Sequence, residues 1–391
     1  MTSPIKRHFG RVQLVLALVV AVAALFSVSA TNARADAADI RYRVTDLGTL
    51  GGSFSAPIDL NARGEVVGVS VPAGDTSLRG FVWMRGAMTD VGTLGGPQGA
   101  ANSINASGQV GGWSDLDAPA RPSIFNQTSL FCNPPMVTGQ PVVACHATLW
   151  QHGRLTDLGT LGGVNSAAEN KGINNQGQVV GVAETATVDP TGTTGSLEFH
   201  AFLWRHGQML DLGTLGNAPD SLASGINERG QVIGVSVSNG SAFNGDNGHG
   251  FIWQDGNMSA IPTLGGRYNV PLAVNNRGDV VGESSLLGNT TGHAFLWHNG
   301  RLTDLGTLPG DVFSEAFDVT DQGAIVGMSC SSTGSCRAVR WVHNHAVDLN
   351  TLISGSSGWQ LMDAQAENAR GQIVGDGLHD GQPHAYLLTR Q

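Results

Sequence analysis

Short apolar runs, separated by turns rich in Gly, Asn and Asp, recur along the chain and predict β-strands. The clearest copy is His200-Ala-Phe-Leu-Trp204, followed by Met209-Leu-Asp-Leu-Gly213 and, after a further run and a turn, by Gln231-Val-Ile-Gly-Val-Ser236. Runs of about five residues have the length of ordinary strands. Turns such as Asn175-Gln-Gly177 contain residues that accept positive φ. One unit of the pattern therefore predicts four antiparallel strands.

This unit occurs seven times. The spacing from Asp46 to Asp90, and again from Asp304 to Asp348, is 44 residues, so insertions lengthen a common period elsewhere. The Asp-Leu-Gly-Thr-Leu element begins at Asp46, Asp90, Asp157, Asp211, Ala260 (a degenerate copy), Asp304 and Asp348. Four short strands at this period are typical of a β-propeller blade.

The two ends of the chain are offset within the repeat. The first predicted strand, Tyr42–Leu47, is a fourth strand, whereas the last, His384–Leu388, is a third strand. The N-terminal strand can therefore complete the last blade and close the ring, which removes the exposed edges of a linear array. An open β-solenoid is the competing architecture, but it would need capping repeats. We predict an all-β, seven-bladed β-propeller with four antiparallel strands per blade.

The first 35 residues have the features of a secretory signal peptide: basic residues, the apolar run Val12–Phe26, and small residues around Ala35. The alternative is an anchor that is never cleaved. Residues 36–391 then form one propeller domain, with an insertion at 115–145 in blade 2. Cleavage removes four basic residues and no acid, so the net charge of −10 becomes −14. This acidity argues against nucleic acid as a partner. We expect a monomer with no membrane span, in the periplasm or outside the cell.

The four cysteines suit an oxidising compartment. Cys132 and Cys145 lie in one insertion, and Cys330 and Cys336 flank a short loop, so local pairing within each loop is the simplest prediction. A zinc site built from all four is the alternative, but their spacing matches no zinc motif.

Trp and His recur in the third strand. The Trp recurs as Trp83, Trp150, Trp204, Trp253, Trp297 and Trp341. It could stack on sugars, but its presence in nearly every blade favours packing between blades. The strand opens with His146, His200, His249, His293 and His384, and with Arg79 or Arg337 in two copies. Arg does not bind metals, and these histidines lie in different blades, so we predict pairing with a carboxylate or a carbonyl. We predict no metal and no cofactor.

His200-Ala201-Phe202 and His293-Ala294-Phe295, together with the Asp-Leu-Gly-Thr-Leu-Gly-Gly elements, resemble the repeat of the bacterial "probable extracellular repeat, HAF family" proteins. The resemblance covers Tyr42 to Arg390. Two copies, which begin at Arg79 and Arg337, depart from the motif. The resemblance implies export, but it implies no activity and no binding residues.

The loops between strands two and three, and those between blades, carry most of the length variation. Such a face often binds the ligand. We expect a non-catalytic binding or scaffold protein whose ligand, a glycan or a peptide, contacts the rim of this face. The rim residues are Phe54, Asn165, Asp220, Arg267, Tyr268, Asp311, Phe313 and Trp359. The alternative is a glycan-active hydrolase or lyase, although the sequence assigns no catalytic residue. Two carboxylates that converge in the central opening would favour the enzyme.

Overall fold

The computed structural model describes residues 40–119, 143–189, 196–237 and 248–391. These residues form seven β-sheets, and almost all of the regular structure is antiparallel strand. The predicted seven-bladed β-propeller is thus confirmed. The predicted signal peptide and the centre of the 115–145 insertion, which contains Cys132, lie outside the described residues. In the described ranges, no helix has the length and apolar character needed to cross a bilayer.

The first four blades each use four consecutive strands, numbered from the axis outward. Blade 1 contains β2 (Gly51–Leu60), β3 (Val66–Pro72), β4 (Arg79–Met84) and β5 (Ala87–Asp90), and β1 (Tyr42–Asp46) precedes it in the chain. Blade 2 contains β6 (Gly95–Ile104), β7 (Val110–Pro119), β8 (Val143–Gln151) and β9 (Arg154–Asp157). Blade 3 contains β10 (Gly162–Ile173), β11 (Val179–Val188), β12 (Leu197–Arg205) and β13 (Gln208–Asp211). Blade 4 contains β14 (Asp220–Ile226), β15 (Val232–Val237), β16 (Gly248–Gln254) and β17 (Asn257–Ala260).

The last three blades follow the same order, with one irregularity. Blade 5 contains β18 (Gly265–Val274), β19 (Val280–Leu286), β20 (Gly292–His298) and β21 (Arg301–Asp304). Blade 6 contains β22 (Phe313–Val319), β23 (Ile325–Cys330), β24 (Cys336–Val342) and β25 (His345–Asp348). A short 3-10 helix (Leu349–Leu352) leads to blade 7, whose first strand is split. Blade 7 contains β26 (Trp359–Leu361), β27 (Ala366–Glu367), β28 (Ile373–His379), β29 (Gln382–Arg390) and β1 (Tyr42–Asp46).

The ring closes as the offset of the two chain ends predicted. β1 pairs antiparallel with β29, from Tyr42 opposite Arg390 to Asp46 opposite Tyr386. The N-terminal strand is therefore the outermost strand of the last blade, and it supplies the fourth strand that the C-terminal repeat lacks. Cys330 and Cys336 form the predicted disulfide at the end of the β23–β24 pair.

Every second strand carries a glycine at the same position, as Gly234 in Gln231-Val-Ile-Gly234, and this glycine has a steric cause. In blade 3, a Cβ atom on Gly181 would overlap the carbonyl oxygen of Ala167 on the adjacent first strand. The same overlap would occur in every blade, at Gly68, Gly112, Gly181, Gly234, Gly282, Gly327 and Gly375. The pairing of the first and second strands is irregular at this point and brings their backbones close together. The second strand can approach so closely only because glycine has no side chain.

The third-strand tryptophans pack between blades, as predicted. Trp83, Trp253 and Trp341 are buried, and each belongs to a separate apolar cluster. The indole nitrogen of Trp341 also donates a hydrogen bond to the carbonyl oxygen of Leu305, which follows β21 of the preceding blade. Such side chains contribute chiefly through buried apolar area.

A ring of buried asparagines joins the blades at the face of the short turns. Each Asn ends a first strand, and its Nδ2 donates a hydrogen bond of 2.9–3.2 Å to the main-chain oxygen of the corresponding residue in the next blade. The donors are Asn61, Asn105, Asn174, Asn227, Asn275 and Asn368. We call this set the asparagine ring. It places one side-chain amide at six of the seven blade junctions.

The seventh junction, between blades 6 and 7, has Thr320 at the asparagine position, and Thr has no amide to donate. An ion pair holds this junction instead. The guanidinium of Arg340 in β24 donates to both carboxylate oxygens of Glu367 in β27, at 2.8 and 3.1 Å. Both side chains are largely buried, and two parallel charge-assisted hydrogen bonds are the strong form of this pairing.

Candidate functional site

The recurring His of the third strand pairs with the recurring Asp of the fourth strand, which confirms the carboxylate partner that the sequence suggested. Nδ1 of His200 lies 2.8 and 2.9 Å from the two carboxylate oxygens of Asp211. The same pair recurs as His146–Asp157 and His293–Asp304. Where the sequence has Arg, the pairs are Arg79–Asp90 and Arg337–Asp348. The role is structural, because it repeats around the ring without a common centre.

These pairs shift the pKa of their members. Burial alone would lower the pKa of His200, but the hydrogen bond and the charge of Asp211 raise it above its ordinary value. Burial likewise opposes ionisation of Asp211, but His200 and the amide of Gly213 outweigh it and lower the pKa of Asp211. Both shifts favour the charged pair.

The predicted rim residues lie near the start of the first strands, distributed around the ring, and most of their side chains have partners within the protein. Asn165 is fully buried: its Nδ2 donates to Glu184, and its Oδ1 accepts from the amide of Cys145. The carboxylate of Asp311 accepts two hydrogen bonds of 2.9 Å from Arg337.

The aromatic members of the rim are divided between core and surface. Tyr268 is buried and donates its hydroxyl to Glu283. Phe313 packs in a cluster that contains both cysteines of the 330–336 disulfide. Phe54 and Trp359 are half-buried against apolar clusters. Arg267 is exposed. The structure does not gather these residues into one pocket, and their role in binding stays a prediction.

Two acids at this face are buried and incompletely paired. Asp220 accepts a hydrogen bond from the amide of Phe199, and Asp115 accepts one from the amide of Gln98. The second oxygen of each carboxyl has no hydrogen-bond partner among the described residues. Burial raises the pKa of both to about 7. Asp115 belongs to blade 2 and Asp220 to blade 4, so the two do not form one acid pair for catalysis.

The axis of the propeller is crossed by Lys171, one of two lysines in the whole sequence. Its Nζ lies 2.6 Å from Oδ1 of Asp59 in blade 1 and 3.4 Å from Oδ2 of Asp318 in blade 6. Asp59 also accepts from the amide of Ile104, and Asp318 from the amide of Glu367. We call this group the axial triad, and it connects five blades.

The axial triad bears on the question of catalysis. Two carboxylates do converge in the central opening, but both contact the same ammonium group and both are bonded to main-chain amides. Burial alone would lower the pKa of Lys171, yet the charges of Asp318 and Asp59 outweigh it and raise that pKa. Both carboxylates thus form ion pairs with Lys171, and the triad connects the blades around the axis.

Blade 7 departs from the repeat by a second histidine. His384 makes the recurring contact, with its Nδ1 2.8 Å from Oδ2 of Asp46. His379, at the end of β28, places its own Nδ1 3.2 Å from the same oxygen. The ring of His379 stacks on Trp359, with centroids 4.7 Å apart and planes at 4°. We call Asp46, His379 and His384 the closing-blade triad.

An open groove of about 460 Å³ lies at the seam where blade 7 meets blade 1, on the face of the short turns. Blade 7 contributes β1 and β29 through Arg43 and Leu387, and blade 1 contributes Arg63, Trp83 and Arg85. We call it the seam groove. It lies on the face opposite the loops in which the sequence placed the rim.

The seam groove is locally basic in an acidic protein. It contains three arginines and one acid, Glu65, whose Oε2 lies 2.6 Å from Nη2 of Arg63. Arg43 and Arg85 are exposed and form no ion pair within the described part of the chain. Two guanidinium groups are thus available to an anionic ligand.

Neither the triads nor the groove came from sequence reasoning. Lys171 had a signal in the sequence, since no lysine other than Lys6 occurs in the chain. His379 lies outside the recurring motif, so the repeat pattern gives no signal for it. The groove arises from the register of two chain ends, which residue types alone do not encode.

Comparison with known proteins gives a likeness of fold. No protein-family model matches the sequence, and no curated protein matches it. The acylaminoacyl peptidase of Pyrococcus horikoshii is 10% identical, with a TM-score of 0.49, over 88% of this chain and 53% of that chain. The β-propeller domain of the Trilobed protease of Pyrococcus furiosus is 9% identical, with a TM-score of 0.46, over 86% of this chain and 95% of that one. A gluconolactonase of Xanthomonas campestris is 10% identical, with a TM-score of 0.38, over 90% of this chain and 95% of that one. This chain spans about half the length of the acylaminoacyl peptidase.

Proposed function

We propose that the chain is an exported, non-catalytic binding protein that holds an anionic ligand in the seam groove. The observation that carries the proposal is that two exposed arginines, Arg43 and Arg85, line the same groove. Charge-assisted hydrogen bonds from a guanidinium to a carboxylate contribute about 1.5–3 kcal/mol each. The Cys330–Cys336 disulfide suits the oxidising compartment that export implies.

The contents of the groove favour binding over chemistry. Its acid, Glu65, already accepts hydrogen bonds from Arg63 and from the side chain of Asn61. Trp83 and Leu387 provide apolar surface beside the arginines. A ligand that carries carboxylate groups on a compact scaffold, as an acidic glycan or an acidic peptide does, complements this combination. The acidic remainder of the surface disfavours long polyanions.

The test is a binding screen on the mature protein with uronate-containing oligosaccharides, acidic peptides and their neutral counterparts. We expect acidic ligands to bind, with an affinity that falls as salt is raised. The variant R43A/R85A should bind at least about tenfold more weakly, since two charged contacts are lost. The variant R154A/R301A is the matched control, because Arg154 and Arg301 hold the position of Arg43 in other blades. Equal affinity of the two variants would sink the proposal.

A hydrolase remains the second candidate, on the strength of two acids in blade 7. The amide of Asp376 donates to the carboxylate of Asp363, and burial raises the pKa of Asp363 to about 6. Burial and the charge of Asp363 raise the pKa of Asp376 as well. A carboxyl that stays protonated near neutral pH can act as a general acid. Hydrolysis of any glycan by the mature protein, abolished in Asp376→Asn, would favour this candidate over binding alone.

A further inference from the structure

The closing-blade triad differs from the other His–Asp pairs in how its atoms converge. In blades 2, 3 and 5 a single imidazole nitrogen contacts both oxygens of its Asp, at 2.8–3.0 Å. In blade 7 two imidazole nitrogens, from His379 and His384, contact one oxygen of Asp46. One ligand atom from each residue lies within 4.8 Å of the other two. The pair needed for structure is therefore present, together with an additional nitrogen donor.

The additional imidazole is held in place. Trp359 stacks on the ring of His379 in nearly parallel planes, and Tyr386 meets Trp359 edge-on with centroids 5.9 Å apart. On the other side, a carboxylate oxygen of Asp380 lies 3.9 Å from Nε2 of His379. This separation is longer than a hydrogen bond, so the ring is oriented by its stack on Trp359 and not by Asp380. The ring is thus oriented before any ligand arrives.

We propose that the closing-blade triad binds a zinc ion through Nδ1 of His379, Nδ1 of His384 and Oδ2 of Asp46. Two imidazoles and a carboxylate suit Zn²⁺ and disfavour Mg²⁺ and Ca²⁺, which prefer oxygen donors. Ligand atoms of tetrahedral zinc lie roughly 3.4 Å apart at bond lengths of 2.0–2.2 Å, so rotations of the side chains suffice to complete the site. The three side chains are 26–33% exposed, which leaves a path for the ion and a fourth position open to water.

A second histidine within one blade makes a metal site possible here. The recurring histidines belong to separate blades and cannot share an ion. His379 belongs to the same blade as His384 but not to the repeat, so it adds a donor where one recurring pair already exists.

The proposed ion would connect the two ends of the propeller. Asp46 belongs to β1, whereas His379 and His384 belong to β28 and β29. A metal that binds only the closed ring stabilises it in proportion to the logarithm of the metal concentration. Zinc should therefore raise the unfolding temperature, which gives a readout that is independent of any ligand in the seam groove.

The experiment is a calorimetric titration of the untagged mature protein, stripped of metals with EDTA, with ZnCl₂. We expect one zinc per chain and a rise in the unfolding temperature, and no such response to MgCl₂. The variant His379→Ala keeps the His384–Asp46 pair but should lose at least about tenfold in zinc affinity. Cobalt, used as a probe, should give the d–d absorption of a low-coordinate site with nitrogen and oxygen ligands in the wild type only.

The matched control is His293→Ala, which removes the recurring histidine of blade 5 and should leave zinc binding unchanged. If His379→Ala fails to fold, His379→Gln tests the same ligand with less change in the stack on Trp359. Absence of saturable zinc binding by the wild type would overturn the proposal. So would unchanged affinity in the His379 variant, or an equal loss in the His293 control.

Discussion

The most informative single perturbation is Lys171→Met, which removes the only cation of the axial triad. Lys171 lies 2.6 Å from Asp59 and 3.4 Å from Asp318, and all three side chains are 10–14% exposed. At an effective dielectric constant of about 20, these contacts correspond to roughly 6 and 5 kcal/mol of Coulomb attraction. The desolvation of three ions offsets most of this gain, so the triad contributes far less than the sum.

Removal of the lysine has a larger effect than the net contribution of the triad, because it leaves two carboxylates buried and close together. We expect a loss of about 3–5 kcal/mol in the free energy of unfolding at pH 7.5. The loss should shrink toward pH 5.5, since a proton can then replace the missing charge; burial already raises the pKa of Asp318 against the opposing charge of Lys171.

The assay is urea unfolding monitored by tryptophan fluorescence at both pH values. The triple variant K171M/D59N/D318N serves as the control, because it removes the uncompensated charges together with the cation. It should recover a large part of the lost stability. A loss below about 1 kcal/mol for Lys171→Met at pH 7.5, or no recovery in the triple variant, would refute the role assigned to the triad.

Three further predictions concern other buried groups. Asp220, with a folded-state pKa of about 7 and an ordinary value of 3.8, favours folding while protonated, so its contribution is lost as pH rises from about 4 to 7. Asp220→Asn should therefore gain stability relative to the wild type by up to about 4 kcal/mol between pH 4 and 7.5 in denaturant melts, whereas parallel curves would contradict this. Arg340→Ala should cost about 3 kcal/mol and raise hydrogen exchange at the junction of blades 6 and 7, because Glu367 stays buried; exchange that rises equally at all junctions would argue against a local role. An amine-reactive ester should modify only the N-terminus of the folded mature protein and reach Lys171 after unfolding, as mass spectrometry can determine; rapid labelling of Lys171 in the folded state would show that the axis is open.

The fold was predictable because each of its determinants repeats. Seven copies of Asp-Leu-Gly-Thr-Leu established the blade count, and the offset between Tyr42 and His384 established the closure. The packing role of the recurring Trp and the pairing of the recurring His were also predictable, since a residue present in nearly every blade has a structural role common to all blades. Repetition gave statistical weight to each of these inferences.

The candidate sites could not be predicted in the same way, because they consist of residues that occur once. Lys171 meets Asp59 and Asp318 only after three blades surround one axis, and His379 meets Asp46 across 333 positions of sequence. The rim residues are a related case: polar and aromatic side chains at a strand start can be buried, as those of Asn165 and Tyr268 are. Burial at that position depends on the neighbouring blade, which a single repeat does not specify.

The asparagine ring has an evolutionary consequence. Each link joins a side chain of one blade to a main-chain carbonyl of the next, so the acceptor is the same whatever residue the next blade carries at that point; Thr320 accepts from Asn275 as well as an asparagine would. A freshly duplicated blade would arrive with its own donor and a generic acceptor, and would be fastened on both sides without any compensating mutation. Families built on such a linkage can gain or lose modules by recombination, and their paralogues should differ in the number of blades more readily than in the chemistry that joins them.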